Sequence, residues 1–418
     1  MTDPAPNIKV DLPRDTRRLF EKVASGRGDK ETMMEALSAM DEIITDMNGK
    51  IEHAREQDPF WFYEPTTRQL TPAARALLEE FIPKEKIPAE VDGAIDVHLS
   101  TAPIKIVGGG NQSSKTTSLV IEDLIFATGQ LPFSLREIYP RQKISRKARK
   151  KLRAVCEDYT HGILNHNLPA LRKWVPREFL IQRSFDESWS EKQQMLMLIN
   201  PETKEPCAEM ELMSNQADVE TFQGPPVDRV RYDEEPKKEI YDENLLRFVT
   251  SDLLSVDFGM TPTNGLTWVY YDLWTASKGP NGEDIATFQL CSLSNPKANL
   301  KTLREIVSRI TDPEMRMMRL LGEWISLSGL IYGRHFKRRI HVVRPERLGL
   351  APGEYLKCNC KHILSEPDAD PMRAEHIQGC RFLNWMIFCG LDPHTVKATA
   401  AAFLALNRNG DHVVDMCY

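Results

Sequence analysis

The sequence predicts a three-layer α/β domain preceded by a small helical module, and three observations lead there. Between about residues 100 and 340, strand-like and helix-like apolar patterns alternate, as in a sheet covered by helices on both faces. Within that region IVGGGNQSSKTT, Ile106 to Thr117, runs from a short apolar strand through three glycines into a lysine and two threonines. That is the layout of a strand, a phosphate-binding turn and a helix. Ahead of it, DKETMMEALSAMDEIITDMNGKIEHARE spaces Met33, Leu37, Met40, Ile43, Ile44 and Met47 at helical intervals.

Length and composition set the frame. A chain of 418 residues exceeds one ordinary domain and suggests two or three. The 27% charged and 41% hydrophobic fractions suit a soluble globular protein. No apolar run approaches the roughly 20 residues of a membrane span. The N-terminus MTDPAPNIKVDLPRDTRR lacks the apolar centre of a signal peptide, so the expected setting is cytoplasmic, with no membrane. Eight cysteines in so long a chain point to buried thiols or metal ligands rather than a disulfide framework. A net charge of -6 offers no general argument for nucleic acid, which must come from local clusters.

Taken in order, residues 1–60 read as a solvated helical hairpin, with Asn48-Gly49 as its break. An aromatic cluster, DPFWFYEP, follows, then a helix starting near Thr71-Pro72. Residues 61–340 form the α/β domain: APIKIV supplies the first strand, and KTTSLVIEDLIFAT the helix after it, ended by Gly129. RQKISRKARKKLRAV carries Arg141, Lys143, Arg146, Lys147, Arg149, Lys150, Lys151 and Arg153 with no acid among them. Ile144, Ala148, Leu152, Val155, Tyr159 and Ile163 recur beside them at helical spacing, which predicts an amphipathic helix with its cations exposed to a phosphate backbone. RHFKRR at 334–339 is a second basic cluster. Residues 341–384 are polar and Pro-containing and read as an interdomain segment. Residues 385–418 read as a strand ending at Asp392, a loop, a second strand and a turn at Asn409-Gly410, with Asp415 assigned to the second strand.

The glycine-rich turn matches G-x-x-x-x-G-K-[ST] at all but one place. Gly109 opens it and Lys115 and Thr116 close it, while Ser114 occupies the second glycine. In such a loop the backbone N–H groups of Gly110, Asn111, Gln112, Ser113 and Ser114 and the start of the helix at Thr116 and Thr117 face phosphates. The lysine reaches the β/γ oxygens and the hydroxyl after it holds magnesium. Ser114 adds a Cβ where the backbone must come close to a phosphate. A loop of this class needs a carboxylate beside the magnesium and a second to activate water. VDRVRYDEEP meets that need: Val230 and Tyr232 alternate into Asp233, Glu234 and Glu235, although Arg229 and Arg231 make the strand less apolar than usual.

These residues resemble the large terminase subunit, the ATP-driven DNA-packaging motor of tailed bacteriophages. GGGNQSSKTT looks like its phosphate loop, FQGPPVDRVRYDEEP like its Walker B element, and MTPTNGLTWVYYDLW like its coupling motif. LLGEWISLSGLIYGRHF is similar to the segment closing the ATPase domain, and CGLDPHTVKATAAAFLAL to the first strand of an RNase H-like nuclease. The five stretches follow the family's order over residues 60–418. The resemblance implies a RecA-like, additional-strand P-loop domain that binds ATP with Mg, followed by an incomplete RNase H-like part. Lys115 and Thr116 would bind phosphate and magnesium, Asp233 would be the magnesium-side carboxylate and Glu234 the catalytic base. Thr261, Pro262 and Asn264 would form the coupling loop, and Gln69 would contact adenine. An arginine finger is expected as well, with Arg247 and Arg319 as candidates and a neighbouring subunit as a third source.

The same resemblance makes Asp392 the first ligand of a two-metal nuclease, with the remaining carboxylates expected elsewhere, so that this chain would not cleave DNA on its own. Cys358, Cys360 and His362 alternate, and His376 and Cys380 are four apart. Four of the five would make a tetrahedral Zn site, against the plainer reading of buried thiols and a surface histidine. Implied partners are double-stranded DNA, a portal protein, a small terminase subunit and further copies of the chain in a ring, in the host cytoplasm. A nucleotide-binding scaffold and a helicase-like remodeller are the competing readings.

Overall fold

The computed structural model describes residues 14–27, 29–279, 282–325, 386–392, 400–406 and 412–417, the last three stretches by their backbone. The chain divides into two compact units, Met1–Leu327 and Ser328–Tyr418.

The first unit opens with α1 (Arg14–Ala24) and α2 (Lys30–Gln57). Asp29 caps α2 by accepting from the Thr32 N–H. The expected break at Asn48-Gly49 does not occur, and the helix runs through both residues. Gly and Asn together cost an α-helix only about 1–2 kcal/mol, too little to interrupt 28 residues. α3 (Pro72–Phe81) begins where its sequence says, with Thr71 accepting from the Ala74 N–H and Pro72 in the first turn. α4 (Ala94–Leu99) leads into β1 (Ile104–Gly109), and α5 (Lys115–Thr128) follows the glycines. Gly129 closes α5 in the left-handed conformation, φ 72°, donating to the Ile125 carbonyl.

Next come β2 (Lys150–Cys156), a π-helical stretch at Tyr159–Asn167, α6 (Leu168–Trp174), α7 (Phe185–Ser188), β3 (Trp189–Ser190), β4 (Met195–Ile199) and β5 (Pro206–Ser214). β6 (Arg229–Asp233), α8 (Lys238–Leu245), β7 (Val256–Met260), β8 (Ile285–Leu290), α9 (Leu300–Ser308) and α10 (Pro313–Leu321) complete the unit. The eight strands form one sheet in the order β3-β4-β5-β2-β6-β7-β1-β8. All neighbours from β5 to β8 pair in parallel, and β4 and β3 turn back antiparallel at one edge. One apolar cluster joins Val120, Ile121, Leu124 and Ile125 of α5 to Leu152, Ala154 and the Phe60, Trp61 and Tyr63 rings. A second holds Val155, Val230, Tyr232 and Phe258 against Ile240, Val269 and Trp274. Alternate residues of β2 thus enter clusters on opposite faces, giving the expected three layers.

The basic run is the main departure. Lys150–Cys156 is a strand inside the sheet, and Arg141–Lys143 is a single 3-10 turn. Several of its cations are already paired. Lys143 Nζ lies 3.0 Å from Glu122, Arg149 pairs with Glu209, Arg153 Nε lies 3.1 Å from Glu211, and Lys147 bonds Asp228. Lys150 Nζ is buried and donates to the Ala127 carbonyl. The apparent helical stripe breaks at the strand, where Leu152 and Val155 enter clusters on opposite faces of the sheet, and the acids that neutralise the run come from distant segments. The run therefore forms no exposed cationic helix.

The second unit contains a three-stranded antiparallel sheet, β11-β10-β9, from β9 (Met386–Asp392), β10 (Ala400–Leu406) and β11 (His412–Cys417). Asp392 pairs with Ala400 at the end of β9. Asp415 lies on a third strand rather than the second, opposite Phe403. Cys358, Cys360, His362, His376, Cys380, the 334–339 cluster and the Asn409-Gly410 turn fall outside the described residues.

Candidate active site

β1, β6 and β7 are parallel neighbours, with β7 between the other two. Their carboxyl ends deliver Gly109, Asp233 and Met260 to one edge of the sheet, where ligands of parallel α/β sheets bind. Each of the three sequence-predicted segments leaves from that edge: the loop after β1, the acids at the end of β6, and Thr261 to Asn264 after β7.

The loop is built on close backbone approaches. A Cβ on Gly110 would stand 2.3 Å from the Arg319 carbonyl and from Ser292 Oγ, and one on Gly109 would stand 2.6 Å from Ser113 Oγ. At the end of α10, Gly322 has φ +68° and packs on Gly109, where a Cβ would lie 2.3 Å from the Gly109 Cα. The Asn111 N–H donates to the Arg319 carbonyl at 2.9 Å. Gln112, whose carbonyl accepts from Asn295 Nδ2, and Asn111 are exposed, and Thr117 is half-buried. Ser113 is fully buried and its hydroxyl has no hydrogen-bond partner.

Ser114 adopts φ 71°, ψ 13°, the left-handed conformation that suits glycine. The consequence of its side chain is thus first a backbone strain. The same geometry denies α5 a side-chain cap, so the N–H groups of the first turn stay unpaired within the helix and open to an anion.

Lys115 is buried, and Nζ donates to the Gly109 carbonyl at 3.0 Å, the Gly110 carbonyl at 2.8 Å and Thr261 Oγ1 at 3.1 Å. Burial pushes the ammonium down to about 8, against the pull of Glu234 and Asp233. Thr116 Oγ1 donates to Asp233 Oδ1 at 3.1 Å. The hydroxyl and carboxylate that would flank magnesium therefore meet, and both are the hard oxygen donors that ion takes. Among the described residues no group of three His, Cys, Asp or Glu is placed to hold a metal. Magnesium, which is usually held by one or two carboxylates plus substrate phosphates, does not need such a cage.

Glu234 sits at φ 79°, outside the ordinary range for a side-chain-bearing residue. Its N–H donates to the Gly259 carbonyl, and Oε2 accepts from the Thr261 N–H at 3.1 Å. Burial raises its carboxyl to about 7; Lys115 and the Thr261 amide oppose the shift, and Asp233 and Glu157 add to it. That value suits a general base working near neutrality. Thr261 thus touches both key groups, its hydroxyl on Lys115 and its amide on Glu234. Pro262 is buried and accepts from the Gly265 N–H.

A polar cavity of about 410 Å³ opens here, lined by Asn111, Glu234, Thr261, Asn264 and Arg319 among others. Of the two arginine candidates only Arg319 lines it; Arg247 is held by Glu243 and the Gly224 carbonyl. Gln69 is exposed and does not line the cavity. Sequence reasoning missed Asn167, which is fully buried and donates to Asp233 Oδ2 at 2.7 Å; no local pattern marks it.

No protein-family model matches the chain, and no curated protein does. Among solved structures, it is similar to the large terminase of a thermophilic bacteriophage, at 12% identity and a TM-score of 0.43 over 84% of this chain and 69% of that one. It is similar to that terminase in complex with ADP, at 12% identity and a TM-score of 0.42 over 83% and 69% of the two chains. It is also similar to the large terminase ATPase domain of a Thermus phage, at 15% identity and a TM-score of 0.38 over 59% of this chain and 97% of that one. These likenesses are distant, and the chemistry of the site is read from its own residues.

Proposed function

We propose that this chain is the ATP-hydrolysing subunit of a viral DNA-packaging motor, a large terminase subunit. The observation that carries the proposal is the convergence, at one sheet edge, of Lys115 and Glu234 on Thr261 and of Thr116 on Asp233. The uncapped start of α5 would receive the phosphates, and Lys115 would exchange its loop carbonyls for the β/γ oxygens. Thr116 and Asp233 would hold the magnesium, whose chemistry when bound is to neutralise charge on those oxygens. Glu234 would accept the proton of the attacking water, and Arg319, which lines the cavity, would face the γ-phosphoryl group. Because Thr261 joins the lysine to the base, displacement of Lys115 by phosphate would be felt at Thr261 to Asn264, which gives those residues a coupling role. Asp392 is proposed as one ligand of a metal-dependent nuclease. Among the described residues no helix is long and apolar enough to cross a membrane.

ATP hydrolysis by the purified chain with and without double-stranded DNA, beside Glu234→Gln, tests the motor reading. Turnover that DNA accelerates and Glu234→Gln abolishes is the expected result. Nucleotide binding without turnover would favour an assembly scaffold, and separation of forked strands a helicase-like remodeller.

A further inference from the structure

β6 carries two arginines that a nucleotide site does not require, and both are buried, Arg229 at 1% and Arg231 at 0% exposure. Val230 and Tyr232 face the apolar cluster on one side of the sheet, so the arginines point to the α5 side. There Asp123 of α5 receives both, from Arg229 Nε at 2.7 Å and Arg231 Nε at 2.5 Å. Arg229 also reaches Asp257 at 2.5 Å. Arg231 continues to Asn167, with Nη1 donating to Oδ1 at 2.8 Å, and Asn167 Nδ2 donates to Asp233 Oδ2 at 2.7 Å and to the Gly162 carbonyl at 2.9 Å. The amide has one orientation only, because two acceptors lie on its NH₂ side and a donor on its oxygen side.

The backbone makes this placement deliberate in the physical sense. Asn167 ends the nine-residue π-helical stretch, which begins at Tyr159 and is capped by Asp158, whose side chain accepts from the His161 and Gly162 N–H groups. Gly162 passes so close to Cys156 that a Cβ would lie 2.9 Å from its Cβ. π-helical turns are uncommon and are frequently found at functional sites.

Arg231 Nη1 stands 3.9 Å from Asp233 Oδ1, and Arg231 Nη2 has no hydrogen-bond partner. A guanidinium this close, with a donor to spare, would ordinarily close on the carboxylate as a two-pronged pair. We infer that Asn167 is a positioning residue: it spaces Arg231 from Asp233, ties down Oδ2, and so leaves Oδ1 turned to Thr116 and free for a divalent cation. Asp123 shares the task by holding Arg231 from the far side. This rests on the reading of Asp233 as the magnesium-side carboxylate.

The test is the magnesium dependence of binding of a fluorescent ATP analogue, measured with parent, Asn167→Ala, Asp123→Asn and Asp233→Asn. Asn244→Ala is the control, since Asn244 is an equally buried amide whose partners are Arg153 and Tyr232. Removal of a group that orients a metal ligand commonly costs about 10–100-fold in metal affinity. Asn167→Ala should raise the half-saturating magnesium concentration by that factor, leave binding in excess chelator unchanged, and leave Asn244→Ala like the parent. Asp123→Asn should shift magnesium dependence in the same direction, and it keeps the question answerable if Asn167→Ala does not fold. Parent-like magnesium dependence in a folded Asn167→Ala or Asp123→Asn, while Asp233→Asn loses it, overturns the inference and spares the nucleotide site. Binding by the parent that ignores magnesium overturns both.

Discussion

Glu234→Gln separates the electrostatics of the site from its fold, and the size of its effect follows from one carboxyl. Burial lifts Glu234 from the ordinary 4.5 to about 7, so the folded chain holds a proton that the unfolded chain has already released. Below 4.5 both states are protonated and the group costs nothing. As pH rises toward 7 stability is lost, and above 7 the loss is complete, at about 3 kcal/mol from 1.36 kcal/mol per tenfold. Gln has no charge to bury, so its advantage over the parent should grow by about that amount between pH 4.5 and pH 8. Urea unfolding of both proteins across the range reads it, with the difference between them cancelling the titrations that Glu234 does not touch; Lys115, which Glu234 pulls upward, is the coupled exception. A difference that is flat with pH would mean that Glu234 ionises as freely in the fold as outside it, contrary to its burial.

Three further outcomes follow from the same geometry. Ser114→Gly should relieve a left-handed serine worth about 1–2 kcal/mol, less the roughly 0.5–1 kcal/mol of added chain entropy. A small net stabilisation, read by unfolding, should come with tighter ATP binding. Gly110→Ala should do the opposite, since its Cβ would meet the Arg319 carbonyl and Ser292 Oγ at 2.3 Å; a loss of about 1–3 kcal/mol and of nucleotide affinity is expected in thermal unfolding and titration. The rate of ATP hydrolysis at limiting substrate should fall as pH drops through about 7, where Glu234 takes up its proton, and a pH–rate profile checks it.

What could be read from the sequence was what is local. The phosphate loop, the acids after β6 and the helix starts at Thr71 and Lys115 are short patterns whose meaning depends on adjacent residues; the structure brings Lys115, Thr116, Asp233 and Glu234 to one sheet edge with Thr261, a residue that only the family resemblance singles out. What failed depended on distant partners. The run from Arg141 to Arg153 looked uncompensated because Glu122, Glu209, Glu211 and Asp228 lie elsewhere in the chain. Arg229 and Arg231 looked like flaws in an apolar strand because Asp123 and Asp257 approach them only in the fold. Asn167 carried no signal, since its place is set by a π-helical turn that no residue pattern announces. Ser114 was legible as an anomaly, but its consequence is a backbone angle before it is a lost contact.

On the proposed function, the loop from Gly109 to Thr116 is a working ATP site. Steady-state hydrolysis of ATP by the parent and by Lys115→Ala, on preparations with matched unfolding curves, tests it most directly. Turnover in the parent that vanishes in Lys115→Ala is the expected result. Equal turnover in both would place hydrolysis elsewhere and contradict the assignment.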